Sequence, residues 1–120
     1  MKLYTEEHEW IEIIDEVARI GITAHAAKEL GDITFIELPE VNATFAQGDV
    51  LCVVESVKAA SDVYCPASGT VCEVNTELEN NPEILNASAE ANGWICKIVK
   101  FKEDEIRGLM TEEEYADYVS

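Results

Sequence analysis

The stretch GDVLCVVESVKAASDVYCPASG, residues 48–69, contains two apolar, strand-like runs on either side of Lys58. Gly48 lies ten residues before this lysine and Gly69 lies eleven residues after it, so turn-forming residues bracket two strands of similar length. The spacing predicts a β-hairpin over about residues 50–66, with Lys58 at or next to its tip. The turn lacks an Asn-Gly or Asp-Gly signal, and we therefore expect the flanking strands and tertiary packing to hold the hairpin.

Two closures of this hairpin fit the sequence. A turn around Lys58 and Ala59 places Cys52 opposite Cys65 and would permit a disulfide, whereas a turn around Val57 and Lys58 places Val63 opposite Cys52. All four cysteines stand in apolar, strand-like surroundings, without a C-x-x-C pair or a nearby histidine; they are Cys52, Cys65, Cys72 and Cys96. We predict buried, reduced thiols in a reducing compartment and no metal site.

The rest of the chain is typical of a single, mainly β domain covering residues 1–120. Short alternating runs such as EWIEII (residues 9–14) and ITFIEL (residues 33–38) are separated by turns, and they indicate a compact, barrel-like sandwich. We expect the first of these runs to pair with residues 17–23 through a turn at Asp15 and Glu16.

Short peripheral helices are also predicted. One begins after Thr23 as N-cap and ends before Gly31, and another covers residues 82–85 with Asn81 as its N-cap. A helical tail over about residues 103–119 contains Thr111 and Glu114 at capping-box spacing.

The chain is strongly acidic. Its 8 lysines and arginines stand against 25 aspartates and glutamates, which gives a formal net charge of −17 at pH 7. This charge opposes binding to nucleic acid, which depends on neutralising phosphates, and to anionic membrane surfaces. No apolar run approaches the roughly 18 residues that cross a bilayer, and the N-terminus has no signal-peptide core, so we expect a soluble protein.

Lys58 is the only basic residue between Glu29 and Cys96, a span that contains twelve acidic residues. Its neighbours in sequence are small, and Glu55 and Asp62 favour the charged ammonium form. A Schiff-base or general-base lysine needs burial or cationic neighbours instead. An exposed and unobstructed lysine of this kind is suited to being a point of covalent attachment.

The segment around this lysine, GDVLCVVESVKAASDVYCPASGTVCEVN, resembles the lipoyl-lysine segment of the glycine cleavage system H protein family. Further motifs follow in the family's order and spacing: EHEW (residues 7–10), GIT (21–23), LGDI (30–33), ELPEV (37–41), ENNPEILN (79–86) and GWICKI (93–98). Together these motifs cover nearly the whole chain, and as a set they are highly specific.

The resemblance implies a barrel-sandwich hybrid fold, similar to a lipoyl domain, in which Lys58 carries lipoic acid as an amide (N6-lipoyl-lysine). It implies a non-catalytic carrier that takes an aminomethyl group from the decarboxylating P-protein to the T-protein and is reoxidised by the L-protein. A lipoyl or octanoyl transferase, or a lipoate ligase, would attach the cofactor. We expect a monomer, cytoplasmic in a bacterium, or in the mitochondrial matrix or a related organelle of a eukaryote after removal of a presequence.

The resemblance also assigns roles to further residues. Glu9 and Asp62 match the acids that hold the amine of the loaded arm, and Ile22 matches part of the wall of its cleft. Glu55 and Ser56 are expected to present Lys58 to the lipoylating enzyme. His8 and His25 are expected to be structural or exposed.

Three other functions are compatible with parts of the pattern. An H-like carrier could relay lipoate or serve redox regulation without glycine cleavage. Biotinyl attachment is disfavoured because Val57 and Ala59 flank the lysine where methionines would be expected. A thiol-dependent redox enzyme is disfavoured because no cysteine has a recognisable activating partner.

Overall fold

The computed structural model describes all 120 residues, and its strands form two antiparallel sheets. The larger sheet contains, in spatial order, β1 (Lys2–Tyr4), β2 (Glu9–Ile14), β3 (Val17–Ile22), β9 (Cys96–Val99), β8 (Gly69–Val74) and β5 (Thr44–Phe45). The smaller sheet contains β4 (Ile33–Glu37), β6 (Val50–Ser56) and β7 (Ala60–Tyr64), with β6 in the centre. The mainly β, barrel-sandwich fold is thus confirmed.

Strands β2 and β3 form the predicted hairpin, with Ile14 opposite Val17 and a two-residue turn at Asp15 and Glu16. Asp15 has φ 58°, a left-handed conformation that aspartate tolerates better than most side chains. The turn places Ile11 opposite Ile20, and both side chains are fully buried. They join a core of 22 buried residues that includes Val54, Val71 and Ile98.

The helices are short, and none is long and apolar enough to span a bilayer. They are α1 (Ala24–Leu30), α2 (Glu77–Asn80), α3 (Ile84–Ala87), α4 (Glu103–Arg107) and α5 (Glu112–Val119). The caps of α1 are as predicted, since the Thr23 hydroxyl accepts from the Ala26 N–H and Gly31 ends the helix at φ 78°. Thr111 and Glu114 form the predicted capping box at the start of α5.

The predicted bounds of the helix at residues 82–85 were wrong. Asn81 lies at the C-terminal end of α2, and its carbonyl accepts from the Ile84 N–H in the turn that leads into α3. The chain forms two short helices around this turn because Leu78 and Leu85 both reach the core and are fully buried. The burial of these two leucines outweighs the local Asn-Pro signal for a helix start and determines where α2 ends and α3 begins.

A small aromatic cluster attaches α5 to the larger sheet. The rings of Tyr4 and Tyr115 stack at 4.7 Å between centroids, next to the fully buried Trp10. The Trp10 Nε1–H donates to the Ala89 carbonyl at 3.0 Å, so its polar atom is satisfied inside the protein. The C-terminal helix therefore packs beside the start of β2, where part of the functional site lies.

All four cysteines are free thiols, and three of them are buried: Cys52, Cys65 and Cys96. Burial raises the pKa of Cys52 to about 12 and that of Cys65 to about 11, so these thiols stay protonated. The prediction that Cys72 is buried was wrong. Its neighbour Val71 points into the core, and successive side chains of a strand point to opposite faces.

Candidate functional site

The register of β6 and β7 places Lys58 in a tight turn. Cys52 lies opposite Val63 and Glu55 lies opposite Ala60, so the hairpin closes around Val57 and Lys58. This is the second of the two closures compatible with the sequence, and Cys52 does not face Cys65.

The turn is held by hydrogen bonds of its own. The Ser56 N–H donates to the Ala59 carbonyl at 2.8 Å, and the Ser56 hydroxyl accepts from the N–H groups of Lys58 and Ala59, both at 3.2 Å. The Val57 N–H donates to the Asp32 carbonyl at 3.0 Å and ties the tip to the chain that follows α1. The expectation that flanks and packing alone hold the hairpin was therefore wrong, because a serine turn contributes.

The Lys58 side chain is exposed and extends over Gly31. A β-carbon at Gly31 would lie 3.3 Å from Lys58 Cε and 3.7 Å from Nζ, so the absence of a side chain there leaves room for the lysine stem. Neither Glu55 nor Asp62 forms an ion pair with Lys58, and the amine has no hydrogen-bond partner within the protein. The amine is available for modification.

A cleft of about 160 Å³ opens beside this lysine, between α1, β7 and the start of β2. Three of the predicted residues line it together: Glu9, Ile22 and Asp62. Leu30, next to Gly31 beneath the lysine stem, also lines the cleft, so the tip of the hairpin and the cleft are neighbours. Ile22 is buried in the wall, while Asp62 is exposed at the rim.

Glu9 is 2% exposed, which is unusual for a glutamate. The Thr5 hydroxyl donates to its Oε1 at 2.6 Å, and the Tyr64 N–H donates to its Oε2 at 3.2 Å. Burial raises the pKa of this carboxyl, and the two hydrogen bonds act against that rise. Glu9 is therefore a fixed, partly desolvated carboxyl group and not an ordinary solvated one.

The burial of Glu9 predicts a pH dependence of stability. Its raised pKa means that the folded protein binds the proton more tightly than the unfolded chain, so ionisation weakens the folded state as pH rises above the ordinary value of 4.5. We expect Glu9→Gln to gain in free energy of unfolding relative to the natural protein as pH rises through this window. The amide that replaces the carboxyl loses a hydrogen bond, which shifts the free energy of unfolding by the same amount at every pH. Only the change of the difference with pH therefore reports the ionisation of the Glu9 carboxyl.

Urea unfolding at several pH values between about 4 and 7 measures this difference. Val41→Ser, which replaces an exposed side chain that does not ionise, is the control, and its difference from the natural protein should stay nearly constant. A flat or falling difference for Glu9→Gln would contradict the account of Glu9.

Three ionisable residues of the cleft were not identified from the sequence as site residues: Glu7, His8 and Glu29. His8 Nδ1 lies 2.8 Å from the Tyr115 hydroxyl, which is also 2.8 Å from Thr23 Oγ1. Burial and the nearby His25 ring lower the pKa of His8. The structural role expected for His8 agrees with this position, but Tyr115 is 107 residues away and no local pattern could have shown the contact.

Glu55 and Ser56 lie apart from the cleft. Glu55 is exposed on β6, opposite Phe35 of β4, and Ser56 organises the turn as described. The predicted residues thus divide into a group in the cleft and a group at the hairpin.

The cleft is suited to a cationic group. Four acidic residues line it, Glu7, Glu9, Glu29 and Asp62, and no lysine or arginine does. The apolar wall from Ile22, Ala26, Leu30 and Val63 can cover a hydrocarbon chain. No group of three histidine, cysteine or acidic side chains has the arrangement of a metal site.

Comparison with known proteins gives a consistent result. Residues 2–120 match the family model described as glycine cleavage H-protein. The chain is 50% identical to the glycine cleavage system H protein of Halothermothrix orenii, over 98% of this chain and 91% of that protein. It is 46% identical to a putative mitochondrial glycine cleavage system H protein of Schizosaccharomyces pombe, over 98% of this chain and 69% of that protein.

A solved structure has the same fold. The crystal structure of a glycine cleavage system H protein from Mycobacterium marinum superimposes with a TM-score of 0.87 at 37% identity. The match covers 97% of this chain and 94% of that chain.

Proposed function

Because this chain belongs to the glycine cleavage H-protein family, whose members are carrier components and not catalysts, we propose that it carries a lipoyl group as an amide on Lys58. Residues 1–120 would serve as one lipoyl-carrier domain. When bound, the lipoyl group supplies a disulfide that accepts an aminomethyl group at the P-protein, delivers it at the T-protein and is reoxidised by the L-protein.

The observation that carries the proposal is the unpaired amine of Lys58 at the tip of a hydrogen-bonded hairpin. Ser56 fixes the turn, and Gly31 leaves space along the lysine stem. A tether at such a tip raises the effective concentration of its cargo at each partner enzyme. Acylation also removes one positive charge from a chain whose net charge is already −17.

The adjoining cleft would shelter the loaded arm. Ile22 offers an apolar surface to the hydrocarbon part, and the carboxylates of Glu9 and Asp62 would hold the terminal amine. Glu9 is well suited to this because Thr5 and Tyr64 fix both of its oxygens in place. A preordered carboxylate loses little freedom when a cation binds to it.

Glycine–bicarbonate exchange tests the function directly. The lipoylated chain should support exchange in the presence of active P-protein, and the unmodified chain should not. A lipoylated chain that gives no exchange with an active P-protein would rule out glycine cleavage and favour a lipoate-relay or redox role.

A further inference from the structure

His8 lines the cleft in a backbone conformation that few side chains adopt. Its φ is 69°, in the left-handed region. Hydrogen bonds hold it there, since the His8 N–H donates to the Thr5 carbonyl at 3.1 Å and the His8 carbonyl accepts from the Thr23 N–H at 3.0 Å. Such a conformation persists where the surrounding structure enforces it, and it is frequent at functional sites. The imidazole is therefore held in the same cleft as Glu9.

A short chain of hydroxyl groups ends at this imidazole. The Tyr115 hydroxyl oxygen lies 2.8 Å from His8 Nδ1 and 2.8 Å from Thr23 Oγ1. Thr23 Oγ1 accepts from the Ala26 N–H at 3.1 Å, and Thr23 is fully buried. The buried hydrogen of the Thr23 hydroxyl needs an acceptor, and the Tyr115 oxygen is the one within reach. The Thr23 hydroxyl therefore donates to Tyr115, and the Tyr115 hydroxyl donates to His8 Nδ1.

This direction of the hydrogen bonds favours the neutral form of His8. Because Nδ1 accepts, the hydrogen of the neutral ring lies on Nε2. A doubly protonated ring would have to donate from Nδ1 to Tyr115. The Tyr115 hydrogen would then turn to Thr23 Oγ1, and the buried hydrogen of the Thr23 hydroxyl would lose its acceptor. Protonation of His8 thus costs one buried hydrogen bond.

The groups around His8 make its charge important for the cleft. Four acidic residues line the same cleft: Glu7, Glu9, Glu29 and Asp62. The other titratable groups that face the ring are His25 on α1 and two tyrosines of α5, Tyr115 and Tyr118. Burial and the His25 ring lower the pKa of His8, and they outweigh Glu7 and Glu29, which raise it. A protonated imidazole would pair with the acids that the ammonium of the loaded arm needs.

We propose that Tyr115 is a positioning residue of the loaded-arm cleft, and that it acts through His8 by holding the imidazole neutral. This inference rests on the proposed function. A neutral imidazole leaves the acidic residues of the cleft to the ammonium of the aminomethyl arm, whereas a protonated one repels that ammonium. Tyr115 thereby influences a cleft that its own side chain does not line.

NMR titration of the unmodified, full-length chain tests the state of His8 directly. We expect the Nε2–H tautomer in the natural chain. Tyr115→Phe keeps the ring that stacks on Tyr4 and removes only the hydroxyl. It should raise the pKa of His8 by about half a pH unit to one pH unit, because the neutral ring loses a hydrogen bond.

Tyr118→Phe is the matched control for this titration. Tyr118 lies on the same helix, and its ring is 5.9 Å from the His8 ring between centroids. Its hydroxyl donates to the Glu6 carbonyl and not to His8. The pKa of His8 should therefore be the same in Tyr118→Phe as in the natural chain.

The stability of the loaded arm tests the consequence for the cleft. Water that reaches the aminomethyl group cleaves its bond to sulfur and yields the thiol, formaldehyde and ammonium, without a redox change. At about pH 6, Tyr115→Phe should release formaldehyde about threefold faster than the natural chain, because more of its His8 is protonated. At about pH 8 the two rates should agree, because His8 is neutral in both. A cleft that was merely loosened would release its cargo faster at both pH values.

His8→Gln shows whether Tyr115 acts through the imidazole. The amide does not titrate, so adding Tyr115→Phe to His8→Gln should leave the release rate within about 1.5-fold at either pH. An effect of Tyr115→Phe that persists at pH 8 or in the His8→Gln chain would overturn the inference. So would an equal pKa of His8 in Tyr115→Phe and Tyr118→Phe.

The two proposals fail in different ways. The titration needs no cofactor, and an Nδ1–H tautomer of His8 in the natural chain would refute the role of Tyr115 without any variant. A lipoylated chain that accepts no aminomethyl group from active P-protein would instead refute the proposed function.

Discussion

Replacing Lys58 by arginine should abolish lipoylation and carrier activity while the protein remains folded. Arginine keeps the positive charge and a similar stem, so the contact with Gly31 and the electrostatics of the tip change little. The guanidinium stays protonated, and it cannot replace the amine as the nucleophile that forms the amide. We expect glycine–bicarbonate exchange with Lys58→Arg to fall to the level without carrier, and no lipoyl mass to be added.

Lys28→Arg is the control for this prediction. Lys28 is an exposed lysine on α1, and its replacement should leave both lipoylation and exchange unchanged. Urea unfolding of both variants should overlap that of the natural chain, because neither side chain contributes to the core. Exchange activity retained by Lys58→Arg would refute the assignment of the tether.

Gly21→Ala should destabilise the protein by about 2 kcal/mol, a typical cost of overpacking a core. Gly21 lies opposite Trp10, and a β-carbon there would be only 2.7 Å from two ring carbons of Trp10. The indole cannot move away freely, because it is fully buried and donates from Nε1 to the Ala89 carbonyl. Urea unfolding measures the loss.

Gly108→Ala provides the matched control. Gly108 has φ −80°, and its β-carbon would find its nearest neighbour, the Glu105 carbonyl oxygen, at 3.7 Å. Alanine is compatible with this conformation, so the free energy of unfolding should stay the same or rise by up to about 1 kcal/mol. Equal stability of Gly21→Ala and Gly108→Ala would contradict the packing described around Trp10.

The hairpin illustrates how far the sequence could be interpreted. Two apolar runs bracketed by Gly48 and Gly69 predicted both strands and the tip. They could not choose between the two closures, because the two strand registers differ by two residues and keep the same side chains facing inward. The choice depends on the hydrogen bonds of Ser56 and on the bond from Val57 to Asp32. The last of these joins segments that only the folded structure brings together.

The cleft was predicted in part, through family resemblance and not through periodicity. Glu9, Ile22 and Asp62 do line one cleft, but the burial of Glu9 depends on Thr5 and on Tyr64, which is 55 residues away. Glu7 and Glu29 had no distinguishing signal, since isolated acids in an acidic chain are most often solvated. Long-range packing, and not local pattern, determined these positions.

The central claim is most directly tested by the mass of the protein made in cells with ample lipoate and active lipoylating enzymes. Intact mass spectrometry should show the addition of one lipoyl group per chain, and peptide mapping should place it on Lys58. A chain that stays unmodified under these conditions, or that carries the lipoyl group on another lysine, would contradict the account.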